Sequence, residues 1–174
     1  MRSHLFAVAM CAASTALTVP GTATAQAPAR LSIVGGLSLP MGDLGHGADL
    51  GFNLALRAEG AALAPGWSIR GDFAVDRYDG RRGVDTYSYI SLAGNLVHRG
   101  RNPRFYQFAG FGVYNSQIAF SNATDRSDTD LGVQAGIGTD LTRDRMVFGE
   151  VGFASAFTSG RSSLWFPVRV GFRF

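Results

Sequence analysis

The end of the chain constrains its fold more than any other stretch. From Leu164 to Phe174 the even positions Leu164, Phe166, Val168, Val170, Phe172 and Phe174 are apolar, while the odd positions include Arg169, Gly171 and Arg173. This period of two belongs to a strand with two unlike faces. One face suits hydrocarbon, and the other suits water or ion pairs. The given sequence stops on an aromatic of the apolar face.

The same alternation recurs upstream. Leu31, Ile33, Gly35, Leu37 and Leu39 share one face of a first strand, and Pro40-Met41-Gly42 ends it. Leu50, Phe52, Leu54, Leu56 and Ala58 mark a second strand, opposed by Asn53, Arg57 and Glu59. Trp67, Ile69, Phe73 and Val75 mark a third, opposed by Arg70, Asp72 and Asp76. A fourth spans about Thr86 to Val97, with Ile90, Leu92, Gly94 and Leu96 outward and Tyr87, Tyr89, Ser91 and Asn95 inward. In the fifth, Phe105 to Asn115, both faces carry apolar residues, so its register stays open. The sixth sets Leu131, Val133, Ala135 and Ile137 against Gly132, Gln134, Gly136 and Asp140. The seventh, Arg145 to Phe157, turns Val147, Val151, Phe153 and Phe157 outward and Glu150 inward.

Such strands approach the roughly 9 to 11 residues needed to cross a bilayer at a tilt. In lipid every backbone N–H and C=O must pair within the protein, so strands can span only as a closed sheet. The expected fold is therefore all-β, an eight-stranded antiparallel up-and-down transmembrane β-barrel. Breaks at 40–49, 77–86, 116–129 and 158–163 predict longer, more charged loops on one side, with Ile118 and Phe120 able to extend a strand beyond the membrane, and those at 60–66, 98–104 and 142–145 predict turns on the other. Pro167 has no N–H for a ladder, which predicts a place near the outer rim or at a bulge.

Residues 1–25 read as a signal peptide, with Arg2 before an apolar core and Ala23-Thr24-Ala25 as a small-residue cleavage site. The barrel domain is then 26–174. The one cysteine, Cys11, lies in the leader, which excludes disulfides and thiol chemistry from the mature domain. Hydrophobic residues make up 46% of the chain, mean hydropathy is only +0.08, and every basic side chain other than histidine is arginine. That intermediate hydropathy fits strands of which half must be apolar. The arginines are dispersed, so no nucleic-acid partner is expected.

The opening Gly35-Gly36-Leu37-Ser38-Leu39-Pro40-Met41-Gly42-Asp43, the central Phe105-Tyr106-Gln107-Phe108-Ala109-Gly110-Phe111-Gly112-Val113-Tyr114 and the terminal Val170-Gly171-Phe172-Arg173-Phe174 resemble the small bacterial outer-membrane β-barrel proteins of the OmpA/OmpX type. The resemblance implies residence in the bacterial outer membrane after export, and Val170, Phe172 and Phe174 as a C-terminal signal for the barrel assembly machinery. Outer-membrane lipids and lipopolysaccharide would be its neighbours. A monomer without cofactor is expected.

Arg57, Glu59, Arg70, Asp72, Asp76, Asp140, Glu150, Arg169 and Arg173 fall on the inward face. An eight-stranded barrel is only wide enough for side chains, which predicts an interior ion-pair network. A narrow pore for ions or small solutes is the alternative. A soluble lipocalin-like barrel is a second alternative, and it would need an apolar interior. No enzyme is expected: His46, near Ser38 and Asp43, and His98 fall on opposite sides of the membrane, and no strand carries a His–Ser pair. Asp125, Asp128 and Asp130, with Asp79 and Asp85, lack a calcium-loop layout, so no metal site is expected. Arg77, Arg81 and Arg82 could meet lipopolysaccharide phosphates. Trp67, Tyr106, Trp165, Phe172 and Phe174 are expected as girdle aromatics. The function that follows is a structural or surface-interaction role.

Overall fold

A computed structural model describes residues 29–174 apart from 82, 122–123 and 159–160. Residues 1–25, expected above to be a signal peptide, and Arg82 therefore lie outside the described residues. The strands follow in chain order as β1 (Arg30–Met41), β2 (Gly51–Ala64), β3 (Trp67–Asp79), β4 (Val84–Arg99), β5 (Phe105–Phe120), β6 (Arg126–Asp140), β7 (Val147–Thr158) and β8 (Arg161–Arg173), with a short helix α1 (Gly42–Gly47) between β1 and β2. Each pairs antiparallel with its neighbours, and β1 pairs with β8 from Ser32↔Arg173 to Met41↔Leu164, closing the barrel. The Phe174 N–H donates to the Leu31 carbonyl at 3.0 Å, which carries the seam through the last residue. The rim where β1 begins and β8 ends is called the base, and the other rim the mouth.

Alternation sorts the side chains as a transmembrane barrel requires. On β3, Arg70, Asp72, Ala74, Asp76 and Tyr78 are buried, while Trp67, Ile69 and Phe73 are exposed. Leu54, Leu92, Phe111, Leu131, Ile137 and Val168 continue the apolar outer wall. Charge inside and hydrocarbon outside is the reverse of a lipocalin-like barrel. The open register of β5 resolves with Phe105, Phe111 and Val113 outward and Tyr106, Phe108 and Tyr114 inward.

Three expectations change. Of 116–129, residues 116–120 and 126–129 belong to β5 and β6, which stay paired from Phe105↔Thr139 out to Ile118↔Arg126. The outward residues there are Asn115, Gln117, Ser127 and Thr129, polar because the hairpin has left the apolar wall. The hydropathy signal fades although pairing continues. On the base side, β2 runs to Ala64 and leaves only Pro65-Gly66 as the turn, where Gly66 takes φ +80, a region that L side chains rarely adopt.

Pro167 sits neither at the rim nor at a bulge. Its pairing with Ser38 of β1 is continuous, whereas the β7–β8 ladder stops between Val151↔Val168 and Ala154↔Trp165 and resumes in the same register. The proline nitrogen therefore faces β7, and the missing N–H interrupts that ladder alone.

Candidate functional site

Polar chemistry concentrates in the bore and at the mouth. In the lower bore, Glu150 of β7 accepts from Arg70 of β3 at 2.9 Å and lies 2.7 Å from Arg57 of β2. Asp72 is 2.8 Å from Arg70 and 3.5 Å from Arg57, and Arg169 approaches Glu150 at 4.0 Å. Tyr106 donates its hydroxyl to Glu150 at 2.8 Å, and Gln134 donates to Asp72 at 3.2 Å and Asn95 at 2.9 Å. Strands β3 and β7 are diametrically opposed, so these bonds cross the full bore. Nearer the base, Arg173 donates to Asp140 at 2.5 Å, and Arg99 reaches Glu59 at 3.1 Å. Asp76 stands apart from this cluster, higher in the bore and buried.

Arg99 escaped the sequence reading because Gly100 and Pro103 placed it in a turn. It is the last residue of β4 and points inward. With it, the inward strand residues include five arginines (Arg57, Arg70, Arg99, Arg169, Arg173) and, counting Asp130 of β6, six carboxylates (Glu59, Asp72, Asp76, Asp130, Asp140, Glu150). Mixed signs limit the cost of removing charge from water.

The bore also holds aromatics. Tyr106 and Trp165 are not girdle residues: they are 4% and 1% exposed and face inward. Strand parity decided this, since Tyr106 shares a face with Phe108 and Trp165 shares one with Arg169. Of the expected girdle set, Trp67, Phe172 and Phe174 do face outward. Inside, the Arg70 guanidinium lies 4.2 Å from the Phe108 ring centre, and that of Arg173 lies 4.0 Å from Phe148. Tyr106, Phe108 and Phe148 stand directly opposite Gly138, Gly136 and Gly171 across their ladders. A β-carbon at Gly136 would meet Phe108 at 2.6 Å, so the glycine makes room for the ring. Inward glycine facing inward aromatic is the signal that would have revealed this packing.

At the mouth a second layer closes the bore. Trp165 packs on Tyr89 at 4.8 Å and on Tyr114 at 5.7 Å between ring centres, and Leu44 of α1 plugs the same cluster. Above it lies a cup of about 490 Å³ whose lining includes Asp43, Tyr87, Tyr89, Ser116, Asp128 and Ser163.

The candidate catalytic set does not assemble. The Ser38 hydroxyl is buried 2.6 Å from the Tyr78 hydroxyl, His46 sits on α1, and His98 is near the base. Among the described residues no three carboxylates or imidazoles converge to hold a metal. Asp128 pairs with Arg126 at 2.8 Å, Asp85 accepts from Ser121, and Asp130 lies opposite Tyr114 on the inner face. Arg81 is bound to Asp49, and that bond holds the Asp49 carboxyl below the usual carboxylate range. Arg77 stays exposed on the outer face of β3.

No family model matches the chain, and no curated protein matches it. Solved structures do. Ail, the attachment invasion locus protein of Yersinia pestis, aligns with a TM-score of 0.61 and 19% identity over 85% of this chain and 100% of its own. Neisserial surface protein A aligns at 0.55 and 14%, over 85% and 97%. The N-terminal β-barrel domain of Pseudomonas aeruginosa OprF aligns at 0.57 and 14%, over 84% and 98%. The fold is that of the small outer-membrane barrels. Within it, this chain's bore is crossed by side chains at two levels, and β4, β5 and β6 carry their pairing past the apolar wall at the mouth.

Proposed function

We propose that the protein is an integral barrel of the bacterial outer membrane that works as a sealed structural and surface-interacting element, with neither a conducting pore nor catalysis. The observation carrying this reading is the bridging of opposite walls: Arg57 and Arg70 reach Glu150 across the bore, and Trp165, Tyr89 and Tyr114 stack across it above. The charged groups named above act as a structural network, because each arginine there faces a carboxylate instead of a water column. Engagement of Ser38 by Tyr78 supports the non-catalytic reading.

The overhanging hairpins at the mouth form the surface left for partners, and the mouth is read as extracellular. Thr86, Ser88, Asn115, Gln117, Ser127 and Thr129 give it hydroxyl and amide groups suited to polar partners such as lipopolysaccharide sugars. Ail and Neisserial surface protein A are by name an attachment protein and a surface protein, which favours a surface role. Val170, Phe172 and Phe174, exposed beside the seam, fit a signal for the assembly machinery.

The deciding experiment is conductance in planar bilayers with the purified, heat-modifiable protein. A flat baseline is expected, and reproducible unitary steps abolished by boiling would replace this reading with the pore.

A further inference from the structure

The outer wall is not smooth. A groove of about 730 Å³ crosses it, lined mainly by apolar side chains from β4 to β8 and beginning at Trp67 of β3. Two rows of outward residues bound it. The first, Trp67, His98, Gln107, Ile137 and Val151, follows the ladder partners from strand to strand. The second runs through Leu96, Ala109, Ala135 and Phe153 towards Phe166. Along the second row Ala109 and Ala135 are small, so the outer surface is lowest there, and beneath it the Phe108 ring packs on the inward Gly136 and Gly152.

The groove climbs as it crosses the strands. Trp67 is the first residue of β3, Gln107 lies near the start of β5, Val151 is further inside β7, and Phe166 is mid-strand in β8. It therefore starts at the base rim and rises into the hydrocarbon-facing wall. Five interstrand steps of about 4.8 Å give a path of about 24 Å, the length of a long acyl chain.

Its lower end is polar and basic. Gln107 Nε2 lies 3.3 Å from His98 Nδ1, on the outer face where neither side chain meets the bore, and the Trp67 ring is 4.4 Å from the His98 ring. The adjoining turn, 98–104, reads His-Arg-Gly-Arg-Asn-Pro-Arg, with Arg101 and Arg104 exposed and no carboxylate. A groove fit for one acyl chain, ending at a rim of cations and hydrogen-bond donors, complements a single kind of amphiphile.

We infer that this groove is a binding site for one anionic phospholipid of the periplasmic leaflet, its acyl chain lying over Ala109 and Ala135 and its phosphate held at His98, Arg101 and Arg104. The inference rests on the outer-membrane reading above and gives that reading a lipid partner. The site orients the barrel by its base rim, and charge with chain shape makes it selective for phosphatidylglycerol over phosphatidylcholine.

Trp67 supplies the probe, because the other tryptophan, Trp165, is buried in the bore. The full protein is reconstituted in phosphatidylcholine vesicles containing an equal mole fraction of either acyl-brominated phosphatidylglycerol or acyl-brominated phosphatidylcholine, and tryptophan quenching is compared. The expected result is severalfold stronger quenching by the phosphatidylglycerol, lost in Trp67→Phe. The ratio should fall to one in Arg101→Gln/Arg104→Gln, which alters only exposed side chains. It should also fall in Ala135→Phe, with Ala109→Leu as a smaller filling if the first fails to fold. Equal quenching by both lipids in the wild type overturns the proposal. So does a preference that survives filling the groove, since surface charge alone would then suffice. Absence of quenching by either lipid is a different failure, because it would mean that Trp67 meets no hydrocarbon and the membrane reading itself is wrong.

Discussion

Strands β4, β5 and β6 each run through two surroundings. Towards the base their outward residues are Leu92, Leu96, Phe111, Val113, Leu131 and Ile137, and towards the mouth Thr86, Ser88, Asn115, Gln117, Ser127 and Thr129. The backbone ladder is the same in both halves, as Leu92↔Val113 and Ser88↔Gln117 share one register. What changes is how the strands are held. Below, an apolar wall leaves the backbone no partner but its neighbour strand. Above, Asn115 reaches Thr129 at 2.8 Å and Ser127 at 3.3 Å, and Asp85 accepts from Ser121, so side chains stitch a hairpin that water could otherwise compete for. Pairing is a property of the barrel, and hydropathy reports only the solvent outside it.

The interior should break the comparison most strongly, since both halves depend on it. Glu150→Ala leaves Arg57 and Arg70 with Asp72 as their one shared carboxylate, and a loss of about 3–5 kcal/mol is expected. Urea titration of the folded barrel in vesicles, followed by the heat-modifiable band, measures it. Trp165→Ala should cost a similar amount, about 3–5 kcal/mol, because it empties the layer under α1. An unchanged midpoint in either variant would mean that the wall alone carries the stability.

Next comes the wall itself. Ala135→Arg, at the middle of the outward run of β6 from Leu131 to Thr139, should destabilise by about 2–4 kcal/mol, whereas Thr129→Arg, three outward positions nearer the mouth, should cost about 0–1 kcal/mol. Equal penalties in the same titration would erase the boundary between the two halves. The smallest effect belongs to Asn115→Ala, at most about 1 kcal/mol for its hydrogen bonds. Its clearer readout is faster proteolytic nicking at the β5–β6 hairpin of intact cells, and no change there would show that the stitching is incidental. Cysteines at Ser88 and Thr129 should react with a membrane-impermeant maleimide on whole cells, while those at Leu92 and Leu131 should stay protected.

How much of this was legible follows the same division. The inward set from Arg57 to Arg173 could be listed from parity, because a period of two holds wherever one face meets hydrocarbon and the other does not. Residues 116–129 were harder for that method, since the outward Asn115, Gln117, Ser127 and Thr129 are polar while Ile118 and Phe120 lie on the inward face, the reverse of the pattern below. Tyr106 and Trp165 defeated it differently: aromatic type suggested the interface, but the face they share with Phe108 and Arg169 is the inner one. Arg99 was hidden by the turn residues beside it, and its role emerges only from the 3.1 Å approach of Glu59.

By itself, then, the sequence determined the class of fold, the number of spanning strands and the two-faced alternation of most of them, because alternation and the need to satisfy the backbone are local rules. Only the tertiary structure decided which arginine meets which carboxylate, which glycine makes room for which ring, and where the proline opens the β7–β8 ladder. Those depend on the register at closure, which brings β3 opposite β7 and β1 beside β8, and no local pattern encodes a distance across the bore.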